Sequence, residues 1–554
     1  MSLFEDILSA RGLNGRTRDM FLNPSYDAKH DPFLLPDMDK AVQRLTSALK
    51  KQEQITIYGD YDIDGLTATT LLLDAFESFG FKNVKAFIPS RFVEGYGLST
   101  EAIKRIAKDG TKLIITVDCG SLSHKEIAAA NNLKIDVIVT DHHNVSDKMP
   151  PAVAVINPKR PDHKYPFRDL AGVGVAFKVV QALQIEFNKK KKTQSVREAS
   201  PGLPFGQEKW LLDLVALGTV CDIVTLLDEN RANVYWGLKV LSRTRRPGLR
   251  ALMAVAGVEP EKITARTLGF VLGPRLNAAG RLETAQIALD LLIAKSTSEA
   301  MDNARRLNDM NAARRQEQDE IFKQAVVQAK KYQNDSVLVL SSEGWNHGIV
   351  GIVAAKILEL YKKPTFVLEE VGKETKGSAR SFGDFSAADA IKSASDLITR
   401  GGGHDLAAGV TMPTKNIGKF RQRLNEFYES KNLRNQEQLL LLDADIDAKL
   451  DDLTEELIEN IAALEPFGHG NPQPILKTTN LEVVGTRLMG AENQHIKLML
   501  RDSNGNTLEM LAFSAPGHFF VEPGTQITVW YRPDINEWNG RRTVEGQLLR
   551  IETL

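Results

Sequence analysis

From Ile55 to Asn157 the chain repeats one pattern, a short apolar run followed by an amphipathic stretch of about ten residues. The runs are ITIYGD (Ile55 to Asp60), VKAFIP, LIITVD, DVIVTD and AVAVIN. Between them lie TATTLLLDAFESF, STEAIKRIAK, which opens on a capping Ser99 or Thr100, and SHKEIAAAN. Unbroken apolar strands alternating with helices bury both faces only in a parallel sheet wrapped by helices, so this region is expected to be doubly wound α/β. Three of the runs end in acid. The first leads into Gly59-Asp60-Tyr61-Asp62-Ile63-Asp64-Gly65, the third closes on Asp118, and the fourth on Asp141 followed by His142 and His143. Ligands of parallel sheets sit beyond the carboxyl ends of the strands, where these groups would converge.

An EF-hand loop also begins D-x-D-x-D-G, but it needs Glu at its twelfth position, and counting from Asp60 that residue is Leu71. So many carboxylates at one sheet edge repel one another unless cations lie between them. Oxygen ligands with one or two imidazoles suit Mn²⁺ or Mg²⁺. Two such ions ~3.5–4 Å apart, bridged by a carboxylate, split phosphate esters by activating water and clamping the leaving oxygen. Asp222, in the otherwise apolar VALGTVCDIVTL, is either a fourth contributor or a helix cap. Cys119 and Cys221 adjoin these acids, but the carboxylates suffice and small buried residues are expected at strand ends.

From Tyr165 to Leu292 the pattern turns helical, interrupted by KKKKTQSVREASPGLP (Lys189 to Pro204), which reads as a solvated loop. Ser298 to Tyr332 is a charged helix without Gly or Pro, suited to a rigid strut. A second α/β unit follows, and from about Glu437 short alternating segments suggest a small OB-like antiparallel barrel. A length of 554 residues accommodates three to four domains. No run approaches the ~18 apolar residues of a membrane span, and the acidic start MSLFEDILSARGL is unlike a signal peptide. Two cysteines suit a reducing cytoplasm, and a net charge of −1 means that any nucleic-acid contact rests on local positive charge.

GDYDIDG, VDCG, TDHH and GTVCDIV, in that order, resemble the DHH phosphoesterase superfamily. With RFVEGYGLS, LAGVGVAFK, GPRLNAAGR, EGWNHGIVGIVAAK, GSARS, GGGH and LEPFGHGNP, the chain resembles nearly end to end its RecJ-type family of single-strand-specific 5′→3′ exonucleases. The resemblance implies a DHH metal-binding catalytic domain at 46–297 after an N-terminal segment 1–45. It further implies a connecting helix at 298–332, a substrate-binding DHHA1 domain at 333–432 and an OB-like domain at 433–554. It implies that Asp62, Asp118 and Asp222 hold one ion and that Asp64 or Asp60, Asp118, His142 and Asp222 hold the other, with His143 orienting the scissile phosphate or a ligand. Where many members carry His, four residues before the middle Asp, this chain has Tyr58, so one coordination position is expected to pass to water or Asp60.

In the DHHA1 region Gly401, Gly402 and Gly403 permit close backbone approach to a phosphate, and His404 adds a donor. Ser378 and Arg380 offer a hydroxyl and a bidentate guanidinium. By resemblance they form a 5′-phosphate pocket with Arg91. Tyr96 is either a base-stacking or a packed aromatic, and Arg275 and Arg281 are candidates for backbone phosphates. The expected machine is a clamp whose groove admits one strand of DNA and releases 5′ mononucleotides in repair and recombination. Single-strand-binding protein and a helicase are its expected partners, and a monomer its expected state. In the barrel Trp530, Tyr531, Arg532, Trp538, Arg541 and Arg542 are candidates to hold incoming strand. Yet Leu481 to Leu554 carries seven Lys/Arg against nine Asp/Glu, which leaves a structural or protein-binding role open. Two rivals are a phosphodiesterase of short oligonucleotides or cyclic dinucleotides and a non-catalytic replication scaffold.

Overall fold

A computed structural model describes residues 2–193, 206–433, 443–491, 493–538 and 540–554. Strands β1 (Ile55–Tyr58), β2 (Val84–Phe87), β3 (Leu113–Val117), β4 (Asp136–Thr140) and β5 (Ala154–Ile156) form one parallel sheet in the order β2-β1-β3-β4-β5. β1 and β3 are buried at every position because helices cover both faces. Ile63–Phe79 and Gly172–Thr193 pack on one side, Thr100–Lys108 and His124–Asn132 on the other. The strand order reverses between β1 and β3, the switch point at which open parallel sheets bind ligands.

The lysine run differs from its expectation. Helix Gly172–Thr193 continues through Lys189 and the lysines that follow, because Lys is a good helix former. The remainder of that segment, 194–205, lies outside the described residues, as does 434–442 at the start of the last unit. Helix Thr297–Lys331, capped by Ser296 accepting from the Glu299 amide, spans ~50 Å and runs from the first domain into the second sheet unit. That sheet comprises β6 (Leu338–Glu343), β7 (Thr365–Val371), β8 (Glu374–Arg380), β9 (Arg400–Gly403) and β10 (Ala407–Pro413), in the order β6-β7-β8-β10-β9.

The C-terminal strands are β11 (Ile446–Asp447), β12 (Leu476–Met489), β13 (His495–Arg501), β14 (Thr507–Ala512), β15 (Gln526–Trp538) and β16 (Arg541–Thr553). β12-β13-β14-β16-β15 close on themselves through β12–β15, with β14 and β16 parallel, giving the OB-like barrel. Two of its proposed stacking aromatics are buried instead. Trp530 is 5% exposed, and fully buried Tyr531 shares a hydrogen bond with Thr478. Arg542 is engaged with Glu455 and Glu459, Arg541 is exposed, and the Trp538 side chain is outside the described set. Helix Leu3–Ala10 packs into the barrel core, and Arg231 donates to the carbonyls of Phe21, Leu464 and Glu465, tying barrel and N-terminal segment to the first domain.

Candidate metal centre

Beyond β1 the chain turns directly into helix Ile63–Phe79. Asp62 is its N-cap and accepts from the Gly65 amide at 3.1 Å. Gly65 is obligatory, since a Cβ there would stand 2.6 Å from the Asp60 nitrogen and 2.7 Å from its carbonyl oxygen. Asp64, one residue into the helix, is buried against the start of helix Gly172–Thr193 and accepts from the amides of Gly172 (2.6 Å) and Val173 (2.8 Å). Burial and the neighbouring Asp62 still push its carboxyl up to about 7. Asp118, past β3, sits in the left-handed region at φ 61°, a conformation Asp tolerates better than most residues.

Asp141 is the keystone that sequence reasoning left without a role. Its carboxylate accepts from the amides of Ser121 (2.9 Å), His142 (2.7 Å) and His143 (3.1 Å) and from His143 Nδ1 (2.9 Å). Burial works to raise its pKa, but these donors and the His143 charge hold it far below the usual carboxylate range. His143 is correspondingly raised, the Asp141 partner outweighing burial. His142 is pushed down to about 3, by burial first and then by the neighbouring His143, so its ring is neutral and ligand-ready. Its Nε2 lies 3.1 Å from Asp118, 3.5 Å from Asp222 and 3.8 Å from Asp64. Asp222 caps the C-terminus of helix Leu212–Cys221, where burial, Asp64 and Asp62 push it up to about 9. Asp60 and Asp118 are raised well above the ordinary value, chiefly by burial and then by Asp62 and Asp64 respectively.

Four buried atoms here have no hydrogen-bond partner: Asp60 Oδ1, Asp118 Oδ1, His142 Nε2 and Asp222 Oδ2. An orphaned buried polar atom costs about 1–3 kcal/mol, more if charged, so their convergence fits divalent cations. The ligand atoms gather within 4.8 Å of one another in three sets: Asp60, Asp62 and Asp118; Asp64, His142 and Asp222; Asp118, His142 and His143. Asp64, His142 and Asp222 thus group as the resemblance implied for one ion, whereas Asp60 groups with Asp62 and Asp118, the place the resemblance gave to Asp222. Gly172 and Gly218 complete the cradle: a Cβ on Gly172 would lie 2.8 Å from Asp118 Oδ1, and one on Gly218 2.9 Å from Asp64 Oδ1. Tyr58 faces the opposite side of the sheet, buried beside Phe87 with its hydroxyl on the Gly97 carbonyl. Neither cysteine joins a ligand set, and burial pushes both thiols up.

The basic side chains fall into two arrangements. Arg91 stacks over Tyr61 at 4.1 Å and donates to the Gly280 carbonyl, and Arg281 donates to the Gly348 carbonyl across the domain boundary. Ser378 and Arg380 converge on Gly351, where a Cβ would stand 3.3 Å from the hydroxyl and 3.2 Å from the guanidinium. Arg275 instead turns to Asn308 on the long helix and to the Val271 carbonyl. Gly401, Gly402 and Gly403 form exposed edge strand β9, and register aligns Gly402, Gly409 and Ser378 in one row across the sheet. His404 is exposed at the end of that strand. Tyr96, 55% exposed, meets the His143 ring edge-on, and its hydroxyl lies 3.1 Å from Nδ1. Phe92 reaches across to His347 of the second unit, a bridging contact the motifs alone did not reveal.

A parallel sheet with an Asp/His cluster at its switch point, joined by a long helix to a second, mixed sheet, has the architecture of a DHH–DHHA1 protein. Family models match accordingly: the DHH family N-terminal domain over residues 54–219, the DHHA1 domain over 334–430 and the RecJ OB domain over 444–549. The single-stranded-DNA-specific exonuclease RecJ of Escherichia coli K12 is 34% identical over 92% of this chain and 89% of its own length. Its Bacillus subtilis counterpart is 35% identical over 98% of this chain, which spans 66% of that protein. The crystal structure of RecJ from Thermus thermophilus in complex with Mn²⁺ superposes with a TM-score of 0.83 at 28% identity, covering 99% of this chain and 75% of that one. Its Mg²⁺ complex gives 0.76 at 27%, covering 99% and 74%. The chain belongs to the RecJ family.

Proposed function

We propose that this chain is a metal-dependent exonuclease that degrades single-stranded DNA from its 5′ end to 5′ mononucleotides in DNA repair and recombination. The observation that carries the reading is the convergence of four unpartnered buried ligand atoms at the switch point of the sheet. Asp60, Asp62 and Asp118 would hold one ion, and Asp64, His142 and Asp222 the other, with Asp118 shared. Bound there, Mn²⁺ or Mg²⁺ supplies activation of the attacking water and stabilisation of the leaving oxygen. Asp141 fixes the His143 ring and favours its protonated form, suited to holding a non-bridging oxygen of the scissile phosphate. Asp64 is anchored by two amides and cannot swing out of position.

Arg91, Ser378 and Arg380 receive the terminal phosphate, which sets the polarity of digestion. Arg281 contributes at the boundary between the two domains, Tyr96 lies against His143 where the last base arrives, and the glycine row from Gly402 to Ser378 leaves room for backbone. The chain acts as a monomer in the cytoplasm, with single-strand-binding protein and a helicase presenting its substrate. No helix among the described residues is long and apolar enough to cross a membrane. The test is digestion of one long single strand labelled at either end. A 5′ label should be released as mononucleotide at the outset, and Arg380→Ala should erase the preference for a 5′-phosphorylated over a 5′-hydroxyl end. Release of the 3′ label first, or cleavage restricted to dinucleotides, would overturn the reading.

A further inference from the structure

Asn157 is the first residue beyond β5 and is fully buried. Pro158 follows it, and an Asn-Pro pair favours the start of a turn. That local role is filled by its oxygens. Asn157 Oδ1 accepts from the Lys159 amide at 2.8 Å, and the Asn157 carbonyl accepts from the Arg160 amide at 3.3 Å. Asp or Ser would serve such a turn as well.

The nitrogen of the same side chain works at long range. Nδ2 donates to Ser121 Oγ at 2.9 Å and to the His143 carbonyl at 2.9 Å. Both hydrogens of the amide are then engaged, which neither a carboxylate nor a hydroxyl reproduces. Ser121, in the turn after β3, gives its own amide to Asp141 Oδ2 at 2.9 Å. Asp141, after β4, accepts through Oδ1 from the His143 amide at 3.1 Å and from the His143 ring at 2.9 Å. The contacts close on themselves, from Asn157 to Ser121, Asp141, His143 and back to Asn157, across the ends of three neighbouring strands. Asp141 aims the His143 ring. Asn157 holds the backbone that carries this ring and the turn that supports the other oxygen of Asp141. The ring in question borders the metal ligands, with Nδ1 3.8 Å from Asp118 Oδ1.

We propose that Asn157 is a positioning residue of the reaction, fixing the place from which the Asp141–His143 pair meets the scissile phosphate. The fifth strand, which supplies no metal ligand, is thereby part of the catalytic apparatus. The proposal rests on the nuclease reading only for what His143 contacts.

The test compares wild type with Asn157→Asp and Asn157→Ser, which keep an acceptor for the turn and lose the paired donors. Each is made as the full chain, alone and combined with His143→Ala, and assayed with Mn²⁺ on a single-stranded oligonucleotide. Either variant should lower kcat about 10–100-fold and leave KM within a few fold. Added to His143→Ala, either should cost less than about twofold more, because its effect runs through that ring. Bound Mn²⁺ should stay at the wild-type stoichiometry. Hydrogen exchange of the metal-free protein gives a readout that needs no activity: the amides of Ser121 and His143 should lose protection while helix Ile63–Phe79 keeps it. Equal losses of kcat in the wild-type and His143→Ala backgrounds would make Asn157 a structural tie and overturn the proposal. So would unchanged kcat in both variants, or a loss of protection spread through the whole metal domain. If His143→Ala itself cleaves at the wild-type rate, the role given to His143 in the nuclease reading fails, and hydrogen exchange alone decides whether Asn157 positions the pair.

Discussion

Replacing Asp222 by Asn should make the metal-free protein more stable while destroying its ability to be stabilised by Mn²⁺. In the folded chain the Asp222 carboxyl is pushed from 3.8 up to about 9, by burial first and then by Asp64 and Asp62. A carboxyl raised on folding contributes nothing unfavourable below its unfolded pKa, and it destabilises progressively as pH rises toward the folded value. At pH 7 the difference from 3.8 is about 3 units, each worth ~1.4 kcal/mol, which sets a ceiling of ~4 kcal/mol. Asp64 shares the strain of the cluster, so about half of that is the expected gain. In a domain of this size it corresponds to several degrees of melting temperature. The assay is calorimetry in EDTA, following the transition that Mn²⁺ shifts in the wild-type protein. The gain should be present at pH 7 and shrink to about 0.5 kcal/mol at pH 4, close to the unfolded pKa, where the folded carboxyl is protonated and the unfolded one is roughly half ionised. With Mn²⁺ the order should reverse, wild type being the more stable, and the variant should not cleave. Destabilisation of the metal-free variant at pH 7, or a gain of the same size at pH 4, would refute the electrostatic account of the cluster.

Three further outcomes follow from the same geometry. Asp118→Ala should abolish cleavage while leaving single-strand binding within a few fold, and residual activity within about tenfold of wild type would contradict a shared ligand. Gly172→Ala places a methyl 2.8 Å from Asp118 Oδ1 and 2.9 Å from Asp64 Oδ2, so it should weaken Mn²⁺ binding in a metal titration and cost about 1–3 kcal/mol by overpacking. Tyr58→Phe removes only the hydroxyl bonded to the Gly97 carbonyl, so it should cost about 1 kcal/mol and leave the bound-metal stoichiometry intact; loss of one ion would make Tyr58 a ligand after all.

The three acidic strand ends were legible because an apolar run that stops on Asp marks where a buried strand leaves the sheet, and the long helix because nothing in it breaks a helix. The barrel's inward and outward faces were not. The extra residue opposite Trp530 and Tyr531 is Leu549 of β16; Tyr531 continues the inward alternation of Ile527 and Val529, whereas Trp530 stands on the other face and is buried under Lys477 and Arg550, a cover that the sequence of β15 alone does not show. The lysine run failed for the opposite reason: its charge was read as a loop although the residues themselves favour helix. How the ligands divide depends on side-chain direction at two helix ends, the N-cap of Ile63–Phe79 and the C-cap of Leu212–Cys221, and spacing along the chain carries no trace of it.

What sequence could least reveal is that the acids of the centre do two different jobs. Asp141 has its oxygens filled by protein donors, and Asp62 and Asp64 accept from backbone amides, so their positions are set without an ion. Asp60, Asp118 and Asp222 each keep one buried oxygen with no donor at all. Written as letters the two groups are identical, a D at a strand or helix end. The difference arises only because helix Gly172–Thr193 brings two amides to Asp64, while the turn after β4 brings Asp141 its own histidines. Anchoring one set fixes the geometry, and starving the other of donors leaves it dependent on cations, so that the fold carries the cost of the empty coordination positions until metal arrives.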